Sequence, residues 1–239
     1  MITTAIATAL LSQGQSFDYK IGTQTFEGYR SLVKKSKLTV VVVQDWNGVN
    51  DHEISVVDKL ASLGYSAVAV DVYGKGVRPN TVQTCSAESG KYYADPKLFL
   101  SRLEGGIKAA NIKGNYVAIG YCFGGTGVLE LARNNAKGMV AAVSFHGGLK
   151  ALTKAPAKIN ANVVILHGAV DPFVPAADVD AAKVELKRAK SFKFVSYPGA
   201  VHAFTVKSMG FEVDGAKYNE AADKASWLEL TKALNAWSN

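Results

Sequence analysis

Six short runs of apolar, mostly β-branched residues, with helical periodicity between them, constrain this chain more than any other feature. They are Leu38 to Gln44, Ser66 to Asp71, Tyr116 to Gly120, Met139 to Ser144, Asn162 to His167 and Phe192 to Tyr197. Val40-Val41-Val42-Val43 is apolar at every position, as a strand must be when helices cover both its faces. Strands alternating with helices build βα units, so the expectation is an α/β fold with a mostly parallel central sheet between two helical layers. Phe17, Tyr19 and Ile21 alternate with polar residues ahead of Gly22. Together with the Phe26 to Val33 stretch they read as an antiparallel hairpin at the sheet edge.

The helices carry their own punctuation. Asp51 to Leu63 repeats Ile54, Val57, Leu60 and Leu63 at helical spacing and stops at Gly64, a residue suited to a left-handed cap. Asp95-Pro96 sets an N-cap acceptor before a proline at the first helical position, and the pattern runs on to about Ala110. Further helices fit Gly125 to Asn134, Ala176 to Ala189 and Tyr218 to Trp237. Gly74 to Ala94 fits neither periodicity, and at that length it reads as a cap or binding loop. No repeat or linker divides the chain, so residues 1–239 are expected to form one domain with its own core.

No apolar run approaches the ~18 residues of a membrane span, which argues against a membrane protein. The 27 Lys and Arg outnumber the 20 Asp and Glu, giving +7, but the basic residues are spread along the chain. They read as a solvated surface rather than a nucleic-acid patch. Cys85 and Cys122 lie in segments of different character, a polar loop and a Gly-rich strand end, so no disulfide framework is expected. Met1 to Leu11 is apolar, yet no Lys or Arg precedes it to form the basic region of a signal. The expected location is cytoplasmic, the alternative an exported chain whose signal is removed. The four histidines lack metal-ligand spacing, and Gly74-Lys75-Gly76 lacks the rest of a phosphate loop, so neither metal nor cofactor is expected.

Gly120-Tyr121-Cys122-Phe123-Gly124 stands where an apolar strand passes into a helix and has the G-x-nucleophile-x-G form of a nucleophile elbow. A turn this sharp needs neighbours two residues away on either side that lack a Cβ. The helix that follows turns its N–H groups and positive dipole end toward the sulfur, which is expected to lower the thiol pKa. Asp171 follows the fifth run, in His167-Gly168-Ala169-Val170-Asp171-Pro172, and His202 follows the sixth, in Gly199-Ala200-Val201-His202-Ala203. Nucleophile, acid, histidine, each on a loop after a later strand than the one before, is the hydrolase order. His146 and His167 fall outside that order and read as structural, while His52 and Glu53 read as helix-capping or surface residues.

The chain resembles the dienelactone hydrolase family in Gly120-Tyr121-Cys122-Phe123-Gly124-Gly125, Ser144-Phe145-His146-Gly147-Gly148 and Gly48-Val49-Asn50, and the likeness runs from about Phe17 onward. The resemblance implies an α/β-hydrolase fold, an ester or lactone substrate, and a Cys-His-Asp triad on Cys122, His202 and Asp171. It also implies an oxyanion hole from the N–H groups of Phe123 and Trp46. Where the family usually carries a glutamate beside the resting thiol, this chain has Asp45. Val206 and Glu88 stand at the positions aligned with two arginines that hold an anionic substrate. Lys75, Arg78, Lys91 and Lys207 are read as solvated rather than as substitutes. Tyr73, Phe145, Phe173 and Phe204 are candidates for the apolar wall of the pocket. Two other readings stay open: the same site acting on other activated esters such as phosphotriesters, and a hydrolase-fold protein that binds a small ligand without turnover. A monomer or a homodimer suits either.

Overall fold

The computed structural model describes residues 14–36, 38–208 and 210–238, so the reading of Met1 to Leu11 lies outside the described residues. The elements in chain order are β1 (Gln15–Ile21), β2 (Gln24–Ser31), β3 (Thr39–Val43), α1 (Asp51–Ser62), β4 (Ser66–Val70), α2 (Val82–Ala94), α3 (Pro96–Ala109) and β5 (Tyr116–Tyr121). There follow α4 (Phe123–Arg133), β6 (Met139–Phe145), β7 (Ile159–Gly168), α5 (Ala176–Glu185), β8 (Ala189–Tyr197) and α6 (Glu220–Trp237). One eight-stranded sheet runs in the order β1-β2-β4-β3-β5-β6-β7-β8. The expected edge hairpin is present, antiparallel to itself and to β4, while β4, β3 and β5 to β8 are parallel.

Residue parity in β3 explains how the sheet is covered. Val41 and Val43 join Phe99, Leu103, Phe123 and Leu129 on one face, whereas Val40 and Val42 join Val56, Val57, Leu60 and Leu230 on the other. Successive side chains of a strand point to opposite faces, so an unbroken run of valines feeds both cores. Each of these four valines is fully buried, a contribution of about 1.5–3 kcal/mol apiece. α1 and α6 cover one face; α3, α4 and α5 cover the other. α4 is buried along its whole length, including Arg133, whose guanidinium meets Glu130 at 2.7 Å and Glu185 at 2.8 Å. Such a buried charge is tolerated because its partners satisfy it.

Several boundaries shift for local reasons. The Gly74 to Ala94 segment, expected as a loop, is half helix: Thr81 and Thr84 form a capping box that starts α2. Its buried face mixes Cys85, Ser89 and Tyr92, so no apolar stripe announces it. The Ala176 to Ala189 helix stops at Glu185, and a 3₁₀ turn over Leu186–Arg188 hands the chain to β8 three residues before Phe192. α4 begins at Phe123, two residues before Gly125, because the turn at Cys122 leads straight into it. β2 begins and ends two residues earlier than the Phe26 to Val33 stretch, its register set by the Ile21–Gln24 pair of the hairpin. Among the described residues no helix is long and apolar enough to cross a membrane.

Candidate active site

The loops that follow β3, β5, β7 and β8 open at one edge of the sheet, because parallel strands in register end together. Cys122 sits at the tip of β5 with φ 48° and ψ −110°, a left-handed conformation costly for a residue with a Cβ, on the order of 1–3 kcal/mol. The two flanking glycines permit the turn. A Cβ on Gly120 would lie 2.1 Å from the Gly124 carbonyl oxygen, and one on Gly124 would lie 2.3 Å from the Val43 carbonyl oxygen.

The fold brings the three sequence-separated residues into one hydrogen-bonded chain. His202 Nε2 lies 3.0 Å from Cys122 Sγ, and His202 Nδ1 lies 2.7 Å from Asp171 Oδ2. A carboxylate accepts, so Nδ1 carries the imidazole proton and Nε2 keeps a lone pair for the thiol proton. Asp171 is steadied by the Phe173 N–H, which donates to its other oxygen at 2.9 Å. The backbone of His202 is clasped by the returning chain: its N–H donates to Gly215 and its carbonyl accepts from Lys217.

Asp45 is buried against this chain. Its Oδ1 accepts from the Trp46 N–H at 2.5 Å, and its own N–H donates to Glu53 Oε1 at 3.0 Å. Burial pushes the Asp45 carboxyl above the usual carboxylate range, against the Trp46 hydrogen bond. The Cys122 thiol is pushed well above its ordinary value by burial, then by the charge of Asp45 and a hydrogen bond to it. The Phe123 N–H works the other way and is outweighed. This reverses the lowered thiol expected from the helix end: desolvation beside a carboxylate exceeds what one N–H and a dipole offer.

His146 is buried with φ 39°; its Nε2 meets Thr205 Oγ1 at 2.8 Å and its ring stands edge-on to His202 at 5.3 Å. Burial and the charge of His202 hold its pKa well below the ordinary histidine value, so it is a neutral wedge under the site. Glu53, read as capping or surface, does cap α1, but it is fully buried and its pKa is raised to about 8, chiefly by burial. His52 is half-buried, its ring edge packed against Tyr121, and burial lowers its pKa to about 4. Cys85 is also a correction: it lies inside α2, fully buried, with burial raising its pKa to about 11. Both cysteines are free.

Cys122 and His202 border a cavity of about 560 Å³. Phe173 lines it, as read from the sequence, and Trp46 lines it too, but the three other aromatic candidates do not. Tyr73 is buried, donating to the Trp46 carbonyl at 3.0 Å and stacked on Tyr92. Phe204 is core, packed on His146 and Tyr197. Phe145, stacked on Tyr121, touches a separate cavity of about 910 Å³ beside α1 and α6. Nearness in sequence to a strand end does not say which face a ring takes. Residues missed by the reading are Val82 and Tyr93 of α2, Val174, and Val213 with its acidic neighbours Glu212 and Asp214. The Thr81-to-Thr84 spacing was the one signal for α2; the 201–217 excursion carried none. Lys75 pairs with Asp18, Lys91 with Glu88, and Arg78 is spent on backbone carbonyls.

A mostly parallel sheet with a strained elbow after β5, an acid after β7 and a histidine after β8 defines the α/β-hydrolase class. The model of the dienelactone hydrolase family matches residues 26–238. A dienelactone hydrolase-like promiscuous phosphotriesterase from metagenomic libraries superposes with a TM-score of 0.86 at 30% identity, covering 93% of this chain and 97% of its own. A Synechocystis sp. protein provisionally named carboxymethylenebutenolidase is 30% identical over 221 residues, 80% of this chain and 82% of its own length. An uncharacterised Caenorhabditis elegans protein is 35% identical over 121 residues, 49% of this chain and 77% of its own. The chain belongs to the dienelactone hydrolase family.

Proposed function

We propose that this chain cleaves a carboxylic ester or lactone by acyl transfer, with Cys122 as nucleophile, His202 as general base and acid, and Asp171 holding the imidazole in its working tautomer. The observation that carries the reading is the unbroken chain from Sγ through the imidazole to the carboxylate, at 3.0 and 2.7 Å. Family membership and the name of the Synechocystis relative support an ester or lactone as substrate.

The chemistry follows from the resting state. Cys122 rests as a thiol, because burial and Asp45 disfavour a second negative charge. As the sulfur attacks the carbonyl carbon, its proton passes to His202 Nε2. The carbonyl oxygen becomes an oxyanion, for which the Phe123 and Trp46 N–H groups are the proposed donors, each worth about 3 kcal/mol in the transition state. Collapse expels the alkoxide, which takes the proton from His202, and leaves a thioester. Water, deprotonated by His202, then attacks the thioester; the C–S bond breaks, the acid is released, and the Cys122 sulfur takes the proton back from His202. A Trp46 N–H free for the oxyanion requires Asp45 to give up its hydrogen bond when substrate enters.

The test is p-nitrophenyl butyrate with wild-type protein and Cys122→Ala. The expected result is a burst of one p-nitrophenolate per chain followed by turnover, an acyl mass on the Cys122 peptide, and loss of both in the variant. A variant that keeps more than about a tenth of the activity rules out covalent catalysis by Cys122.

A further inference from the structure

We infer that the cavity beside Cys122 selects against carboxylate-bearing substrates, with Glu212 and Asp214 acting as a charge filter that leaves neutral, apolar acyl groups as its substrate class. The inference rests on the acyl-transfer reading for its meaning and on the walls of the cavity for its argument.

The cavity is lined for the most part by apolar side chains, among them Trp46, Val82, Phe173, Val174 and Val213. Its volume of about 560 Å³ suits a small organic molecule, and such walls favour an acyl chain without charge. Besides Cys122 and His202, the ionisable groups bordering it are Asp45, Glu212, Asp214 and the Tyr93 phenol; no Lys or Arg is among the described residues that line it. A carboxylate brought in therefore leaves water and finds acids but no cation to replace its hydration.

None of the described lysines and arginines nearby borders the cavity. Lys207 and Lys217 share a neighbouring cavity with Glu212 and Asp214, which border both, but neither lysine lines this one. Lys75 and Lys91 are ion-paired with Asp18 and Glu88, and Val206 and Glu88 do not border the cavity. Glu212 and Asp214 are solvent-exposed, so their repulsion acts at the rim and is screened by salt. That position makes them a filter on entry rather than part of the bond-making centre.

The experiment compares iodoacetamide with iodoacetate at Cys122, in a Cys85→Ala background. Each reagent forms an Sγ–CH2 bond and expels iodide, the thiol proton passing to solvent, and the two differ only in a neutral amide against a carboxylate. The ratio of the two rates is taken relative to the same ratio for 2-mercaptoethanol. In low salt the protein is expected to favour the neutral reagent over that reference by about tenfold. Glu212→Gln with Asp214→Asn is expected to shrink the preference by about threefold or more, as is 0.5 M salt. A wild-type ratio equal to the reference, or a ratio unmoved in the double variant, overturns the filter. The second arm is kcat/KM for p-nitrophenyl valerate against p-nitrophenyl hemiglutarate. Turnover of both esters at equal efficiency sinks the filter and leaves the acyl-transfer reading standing. Discriminating alkylation with no thioester from either ester sinks that reading and leaves the filter.

Discussion

The Trp46 N–H donates to the Asp45 carboxylate at 2.5 Å, so the amide proposed as an oxyanion donor is occupied at rest by the side chain that precedes it. The same carboxylate raises the Cys122 thiol pKa. One methylene shorter than the family's usual glutamate, Asp45 is buried and still among the causes that raise the thiol pKa. Asp45→Asn keeps an acceptor for Trp46 and removes the charge. The rate of Cys122 alkylation by iodoacetamide, followed against pH in a Cys85→Ala background, is expected to rise at lower pH than in the parent. Coincident profiles would mean that the carboxylate does not govern ionisation of the thiol.

The tautomer of His202 depends on Asp171. Asparagine at 171 can turn its amide toward Nδ1 and donate, which moves the imidazole proton to Nε2, where it cannot accept from the thiol. Asp171→Asn is expected to lower kcat on an activated ester by at least about a hundredfold, with an unchanged circular dichroism spectrum. His202→Gln should lose a similar or larger factor. A kcat within threefold of wild type in either variant would remove that residue from the proposed mechanism.

Two glycines make opposite predictions for the same substitution. Gly124→Ala places a methyl 2.3 Å from the Val43 carbonyl and 2.5 Å from that of Gln44, both backbone atoms in the sheet centre that cannot yield. The expected loss is about 3 kcal/mol or more, read by urea unfolding. Gly90, in α2, has nothing within 4 Å of a new Cβ. Gly90→Ala is expected to gain about 0.5–1 kcal/mol through helix propensity. A gain at Gly124 or a loss at Gly90 would contradict the packing described.

Glu53 gives a pH dependence of stability. Its folded pKa of about 8 lies above the ordinary glutamate value of 4.5. Between those values the folded chain holds a proton that the unfolded chain releases. The stabilisation is therefore whole below about pH 4.5 and is lost as pH rises toward 8. Asp45 and Cys122 are raised as well, so the measurement is a difference between proteins. Glu53→Gln turns an amide against one of the two N–H donors, from Asp45 and Asn50, and lowers stability at every pH. Across pH 5 to 8, however, its Tm should fall less steeply than that of wild type. Parallel slopes would show that Glu53 is ionised throughout.

Much of this architecture was written in local patterns. The valines of β3 read as an interior strand because the run is short, β-branched and apolar at every position, which no single-faced element accepts. The elbow was legible because Gly120, Cys122 and Gly124 meet a steric requirement within five residues. α2 was not legible: its buried face includes a serine, satisfied by the Cys85 carbonyl, which composition alone does not reveal. Nor were the aromatic neighbours sorted. Phe145 closes β6 and Phe204 follows β8 as Trp46 follows β3, yet both turn into the core, and that choice depends on what the opposite layer supplies.

The sequence by itself determined the α/β alternation, the parallel sheet, and the identity and order of Cys122, Asp171 and His202, because strand period, glycine sterics and turn chemistry act over a few residues. Tertiary structure alone decided the distances within that chain and that Asp45 outweighs the helix end in setting the thiol pKa. It also decided that α2 and the 201–217 excursion wall the cavity with Tyr93, Glu212 and Asp214. Desolvation, charge coupling and cavity shape are sums over groups far apart in the chain, and only the packed fold brings those groups within reach of one another.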